Sequence, residues 1–154
     1  RQEFSAIRGA KPMLDGIPFE RNAIHSPGGD DPLEGLLLAT GFHYESPVRE
    51  EQAVYASRLL PRVRDLRRGG SAALDLCWTA IGRVDAYTEL GVREWDVAAG
   101  GLLCLCAGLD VRVTSAHGVR PPGLVAAIGE VSSALVAEWG DGVESAEWPS
   151  TRLG

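Results

Sequence analysis

Short apolar runs of strand character alternate with helix-patterned stretches along most of this chain, and that alternation limits the fold more than any other feature. "LLLATGF" (36–42) is a continuous apolar run closed by Gly41, the pattern of a buried strand. Residues 47–60 follow, with Val48, Ala53, Val54, Ala56, Leu59 and Leu60 near helical spacing and Pro61 as a stop. The pattern then predicts a short strand in Arg62–Arg68, a helix over 69–83 and a strand in "VDAYTE" (84–89). Beyond it lie a helix from Asp96, strands in "DVRVT" (110–114) and "GLVAA" (123–127), and a helix over 128–139. Strands interleaved with helices build a layered α/β architecture with at least partly parallel pairing. Residues 1–20 differ: Phe4, Ala6 and the Asp15-Gly16 pair read as strands and a turn of a sheet already under way, so the chain reads as a fragment. One unit therefore spans 1–139, with a loop at 21–32 and a loose tail over 140–154.

Charge and composition narrow the function. A net charge of −6 and a pI near 5.0 argue against a nucleic-acid surface. The basic run holding Arg62, Arg64, Arg67 and Arg68 around Asp65 reads as a solvated edge. The longest apolar stretch, Val97–Leu109, is too short to span a bilayer, and no secretory signal pattern opens the chain. Cys77, Cys104 and Cys106 sit among apolar neighbours and read as reduced thiols, which fits a cytoplasmic protein. Cys104 and Cys106 lie two positions apart on one helix, so they face different ways and cannot share a metal. His25, His43 and His117 fall in loop-like stretches and read as solvent residues rather than bases.

Three places stand out chemically. Asp96 precedes an apolar helix, where an acid serves as an N-cap; it is equally a hard oxygen donor suited to Mg²⁺. Gly100 and Gly101 then sit inside that helix at a cost of about 1 kcal/mol each, a sign that something approaches the backbone closely. Gly70, Ser71 and Ala72 open the 69–83 helix with free N–H groups that attract anions or ligand hydroxyls. Glu89 closes the strand "VDAYTE" and could accept hydroxyl hydrogen bonds from a polyol, while Asp85, disfavoured in a strand, is expected to satisfy neighbouring backbone groups.

The segments "FSAIRGAKPMLDGIPF", "LLLATGFHYE", "RLLPRVRDLRRGGSAALDLCWTAIGRVDAYTE", "WDVAAGGLL" and "GLVAAIGEV" together resemble the inositol monophosphatase family of Mg²⁺-dependent phosphatases, in the family's order from Phe4 to about Trp139. The resemblance implies the C-terminal portion of a layered α/β sandwich of the inositol monophosphatase/fructose-1,6-bisphosphatase type. It implies hydrolysis of inositol 1-phosphate, with Asp96 as a Mg²⁺ ligand, Trp95 as its structural neighbour, and Glu89 with Gly70, Ser71 and Ala72 contacting a small-molecule phosphate ester. It also implies a homodimer when complete. The family's first metal motif, Asp-Pro-(Ile/Leu)-Asp-Gly-Thr, is not found in these residues, so this chain alone is expected to be inactive. "DDPLEG" (30–35) imitates that motif but runs straight into "LLLATGF"; it reads as a coincidental loop, which leaves Asp31 and Glu34 out of the site. Where the family's second motif ends Glu-Ala-Gly-Gly, this chain has Cys106-Ala107-Gly108-Leu109, a packing change away from the metal. The alternatives are a related sugar-phosphate phosphatase (fructose 1,6-bisphosphate or histidinol phosphate) and a non-catalytic remnant or interaction module.

Overall fold

The computed structural model describes residues 1–22, 30–140 and 144–148. The element order is β1 (Phe4–Ser5), β2 (Met13–Leu14), β3 (Ile17–Pro18), β4 (Leu37–Thr40), α1 (Ser46–Leu59), β5 (Asp65–Arg67), α2 (Ala72–Ala80), β6 (Ala86–Leu90), α3 (Glu94–Cys106), β7 (Asp110–Thr114), β8 (Gly123–Ala127), α4 (Gly129–Ala137) and β9 (Ser145–Glu147). Strands β1–β3 form a small antiparallel sheet, and the other six make a mixed sheet in the order β5-β4-β6-β8-β7-β9. Asp15 and Gly16 both have positive φ, 53° and 77°, the requirement of the two-residue turn that joins β2 to β3. Most of the expected loop, 23–29, lies outside the described residues.

Period-two alternation divides the six-stranded sheet into two faces. Ala39, Tyr87, Leu124, Ala126, Val111 and Val113 pack with Leu76, Ala80, Val97, Leu103 and Cys104 of α2 and α3. Leu38, Ala86, Val125 and Ala127 pack with Tyr55, Leu59, Val131 and Leu135 of α1 and α4. The result is a sheet with helices on both faces. Strand β4 is parallel to β6, so their carboxyl ends lie at the same edge of the sheet.

Several local expectations need correction. On α1 the buried stripe is Val48, Gln52, Tyr55 and Leu59, while Val54 and Leu60 are exposed. Spacing of four, three and four residues is helical, but two members carry polar heads and so escape an apolar-only count. Tyr55 donates to Leu135 O at 3.1 Å and stacks on Trp139, with ring centroids 3.5 Å apart. Arg62 is not a solvated edge: its guanidinium forks onto Asp31 at 2.7 and 2.8 Å and also meets Glu138. Asp31 is thus a structural anchor of the 30–35 loop, where it also accepts Leu33 N–H at 3.0 Å. Nor is the tail loose throughout, for Ser145–Glu147 pairs with β7, and the Trp148 ring lies over Gly101. The glycines inside α3 do mark a close approach, but of protein: a Cβ on Gly100 would stand 2.5 Å from Leu76 Cβ on α2.

Two expectations are met by hydrogen bonding. Asp85 accepts Leu37 N–H at 2.7 Å, tying β6 to β4 at its start. Cys104 and Cys106 point apart, donating to Leu76 O and Ile7 O respectively, each at 3.4 Å. Burial raises the thiols of Cys77 and Cys104 above the ordinary range, which keeps them protonated. Among the described residues, no helix is long and apolar enough to cross a membrane.

Candidate functional site

A cavity of about 560 Å³ opens at the carboxyl ends of β4 and β6. Gly41 and Phe42 leave β4 into its wall, Glu89 and Leu90 end β6 there, and the N-termini of α2 and α3 reach it through Gly70–Ala73 and Arg93–Asp96. All five residues singled out from sequence, Gly70, Ser71, Ala72, Glu89 and Asp96, line this one cavity. Crevices outside the carboxyl ends of strands are where open α/β sheets generally bind ligands. Two helix N-termini facing one space also give it a positive dipolar lining.

The local chemistry explains each position. Gly70 has φ +87°, a left-handed conformation that lets the chain turn into α2. Ser71 is the N-cap, its hydroxyl accepting Leu74 N–H at 3.4 Å, so its side chain serves the helix, and Gly70 and Ala72 on either side also line the cavity. Asp96 is not the N-cap that its position suggested. It is the third residue of α3, and its Oδ2 reaches back to accept Arg93 N–H at 3.0 Å. Trp95, expected to be a structural neighbour, is 83% exposed on the cavity rim.

Glu89 sits two residues from Tyr87 on the same face of β6, and the Tyr87 hydroxyl donates to its Oε2 at 3.0 Å. Gly41 makes the room: a Cβ there would fall 2.1 Å from Glu89 Oε1. Burial, with the fields of Asp75 and Asp96, holds the Glu89 carboxyl above the usual carboxylate range, against the opposing pull of Tyr87 and Arg68. Asp75, 2% exposed in the first turn of α2, is raised chiefly by burial, although it accepts Gly69 N–H and feels Arg68. A perturbed acid in a cavity wall, as Glu89 is here, marks a functional site more often than a random surface does.

Sequence reasoning missed three parts of this wall. Arg68 was placed on a solvated edge, yet it lines the cavity and acts on both Asp75 and Glu89. Gly41 looked like a strand terminator, and His43 like a solvent residue; both are wall residues. A glycine and a histidine directly after a buried parallel strand were the available signal, since that edge is where sites form.

The donor set can be tested against a metal. Asp96 presents an exposed carboxylate, a hard oxygen donor type, with one oxygen engaged by the backbone. Among the described residues, no group of three or more His, Cys, Asp or Glu is arranged to hold an ion. Asp96 fits one ligand position, and these residues do not complete a centre around it.

A sheet covered by helices on both faces, with an acid-bearing cavity at the ends of its parallel strands, defines a layered α/β protein with a ligand-sized crevice at its strand ends. The family model described as "Inositol monophosphatase family" matches residues 1–146, and the chain belongs to that family of metal-dependent phosphatases. It is 52% identical over 87 residues to the Mycobacterium tuberculosis protein named inositol-1-monophosphatase SuhB, covering 56% of this chain and 30% of that protein. It is 36% identical over 148 residues to the Escherichia coli protein named Nus factor SuhB, covering 93% of this chain and 52% of that one. The solved structure of Mycobacterium tuberculosis SuhB superposes with a TM-score of 0.71 at 40% identity, over 88% of this chain and 52% of that chain. The chain therefore spans about half the length of these relatives or less.

Proposed function

We propose that this chain is the substrate-seating portion of a Mg²⁺-dependent phosphatase that hydrolyses inositol 1-phosphate to inositol and phosphate. The observation that carries the reading is the convergence of Glu89, the Gly70–Ala72 helix start and Asp96 on one cavity, in a chain of this family. Glu89 accepts hydrogen bonds from ring hydroxyls; its neighbour Tyr87 fixes the carboxylate so that one oxygen stays directed by the protein. The first turn of α2 offers backbone N–H groups and a positive dipole end to the anionic ester. Asp96, held by Arg93 N–H, supplies one carboxylate oxygen to Mg²⁺. With Asp96 as one of its ligands, a bound Mg²⁺ would supply Lewis-acid chemistry, lowering the pKa of a water and offsetting phosphate charge.

In this reading the remaining carboxylates of the metal centre come from the part of the relatives' length that this chain does not span. The test is phosphate release from inositol 1-phosphate with Mg²⁺, measured for the full-length protein and for this chain alone. Turnover by the former and none by the latter is expected. Equal turnover by both would show that the missing ligands are dispensable, and none by either would favour a non-catalytic interaction module. A substrate panel including fructose 1,6-bisphosphate and histidinol phosphate separates inositol phosphate from its nearest chemical rivals.

A further inference from the structure

His43 occupies the cavity wall in a way that a solvent residue does not. Its main chain is held on both sides by α1: His43 N donates to Gln52 Oε1 at 2.8 Å, and Arg49 donates to His43 O at 3.1 Å. Gln52 is 3% exposed, and its amide also donates to Gly41 O at 3.1 Å. One buried side chain thus clamps the turn that carries both His43 and the glycine against which Glu89 rests. The ring lies over Gly91, where a Cβ would stand 2.4 Å from His43 Cδ2 and 3.0 Å from Nε2. Gly91 has φ +76° and itself lines the cavity.

The ring's proton is assigned by its partner. Glu45 N–H donates to His43 Nδ1 at 3.2 Å, so Nδ1 is an acceptor and the neutral ring carries its hydrogen on Nε2. The wall therefore presents a ring donor, Nε2–H, on the turn that is tied to the seat of Glu89, an acceptor. A donor and a carboxylate lining the same cavity do not suit a phosphoryl group, which takes donors only and is repelled by the acid. They suit a hydroxyl, which donates to one group while accepting from the other.

We infer that His43 is a specificity-determining residue whose Nε2–H donates to a ring hydroxyl of the polyol phosphate, beside the hydroxyl contact of Glu89. This inference rests on the proposed phosphatase reading and adds a discriminating contact to it. A hydrogen-bonding wall rejects an analogue lacking the hydroxyl because its own polar groups then go unpaired.

The experiment compares inositol 1-phosphate with cyclohexyl phosphate, which keeps the ring and the ester but has no hydroxyls, as substrates of the full-length protein with Mg²⁺. In His43→Ala, the ratio of kcat/KM between the two esters falls about fivefold, the weight of one neutral hydrogen bond, and chiefly through KM. His43→Gln, which retains an N–H donor, recovers part of that ratio. A ratio unchanged in His43→Ala, or lowered equally by both variants, overturns the inference while leaving an active phosphatase. A wild-type protein that releases phosphate from neither ester overturns the phosphatase reading and this contact with it. Ring ¹⁵N spectra give a readout independent of turnover: the Nε2–H tautomer is expected for His43, and an Nδ1–H tautomer overturns the inference.

Discussion

The two faces of the six-stranded sheet are built on different terms. The α1–α4 face is filled by large side chains: Tyr55 stacks on Trp139, both 3% exposed, over Leu36, Leu38, Leu59 and Leu135. Arg62 then ties the 30–35 loop to the end of α4 through Asp31 and Glu138. On the α2–α3 face, Gly100 lets the two helices approach against Leu76, and their N-termini reach the same strand ends. This face keeps acids in partly desolvated positions, which a stability-driven surface would avoid. One face holds the fold together, and the other uses some of that stability to shape a polar cavity. Substitutions on the first should therefore cost stability alone, and those on the second should separate stability from activity.

The largest expected effect is on the first face. Trp139→Ala removes a fully packed ring and its stacking partner's contact, a loss of about 3–5 kcal/mol in urea-induced unfolding. Trp139→Phe should lose distinctly less, because the Trp139 Nε1 is buried with no hydrogen-bond partner among the described residues, and phenylalanine carries no such donor. If Trp139→Phe proved as costly as Trp139→Ala, shape rather than area would govern this face.

Next comes Gly100→Ala, on the second face. Alanine is favoured in a helix by about 1 kcal/mol, but its Cβ would lie 2.5 Å from that of Leu76, which is 0% exposed and cannot swing away. Overpacking wins, with a net loss on the order of 1–2 kcal/mol. Because α2 and α3 must separate to admit the methyl, the Ser71–Ala72 start also shifts relative to Asp96. Turnover by the full-length protein should fall with stability here, and unchanged turnover would show that the two helix starts act independently.

This contrast also explains which features are legible in the sequence. Apolar runs of period two and the Asp15-Gly16 turn mark their elements because local sterics and burial act over a few residues. The fold class follows from their alternation. The stripe through Gln52 and Tyr55 was not legible, since polar heads satisfied by Gly41, His43 and Leu135 count as exposed until the partner is known. Strand β9 was hidden for a similar reason: an edge strand of three residues takes its order from β7, not from its own pattern. Glu89, Asp96 and Gly70–Ala72 were singled out as separate features, and only the family resemblance placed them at one site. The parallel pairing of β4 with β6 supplies the physical reason, and it is a long-range fact. His43 and Arg68 stayed hidden because exposure at a loop and at a cavity wall looks identical in sequence.

Asp96 tests the second face with a smaller change in stability. Asp96→Asn keeps an oxygen able to accept Arg93 N–H, so unfolding should shift by well under about 1 kcal/mol, whereas Asp96→Ala loses that bond and should cost up to about 1 kcal/mol. On the proposed reading, in which Asp96 is a charged metal ligand worth several kcal/mol, both should lower phosphate release by the full-length protein by at least about a hundredfold. Retained turnover in Asp96→Asn would remove this residue from the metal site while leaving its helix role intact.

The smallest effect has the opposite sign, and it separates the faces most sharply. Glu89 is held above its ordinary value of 4.5, first by burial and then by Asp75 and Asp96. An acid whose folded-state pKa is raised favours folding fully below its unfolded value, and that stability is lost as pH rises through the folded value. At pH 7 the wild type therefore carries a cost that Glu89→Gln removes. The variant should melt above the wild type at pH 7, and the gap should close as the pH is lowered past 4.5. Asp31 behaves in the reverse sense: its partnership with Arg62 holds it below 3.8, so Asp31→Asn should melt below the wild type at pH 7 and converge with it only in stronger acid. Melting curves across pH for the two variants measure the comparison directly. A Glu89→Gln protein that is less stable than the wild type at pH 7 would mean that the carboxylate earns its place structurally, through Tyr87, rather than being retained against the fold's preference for what it binds.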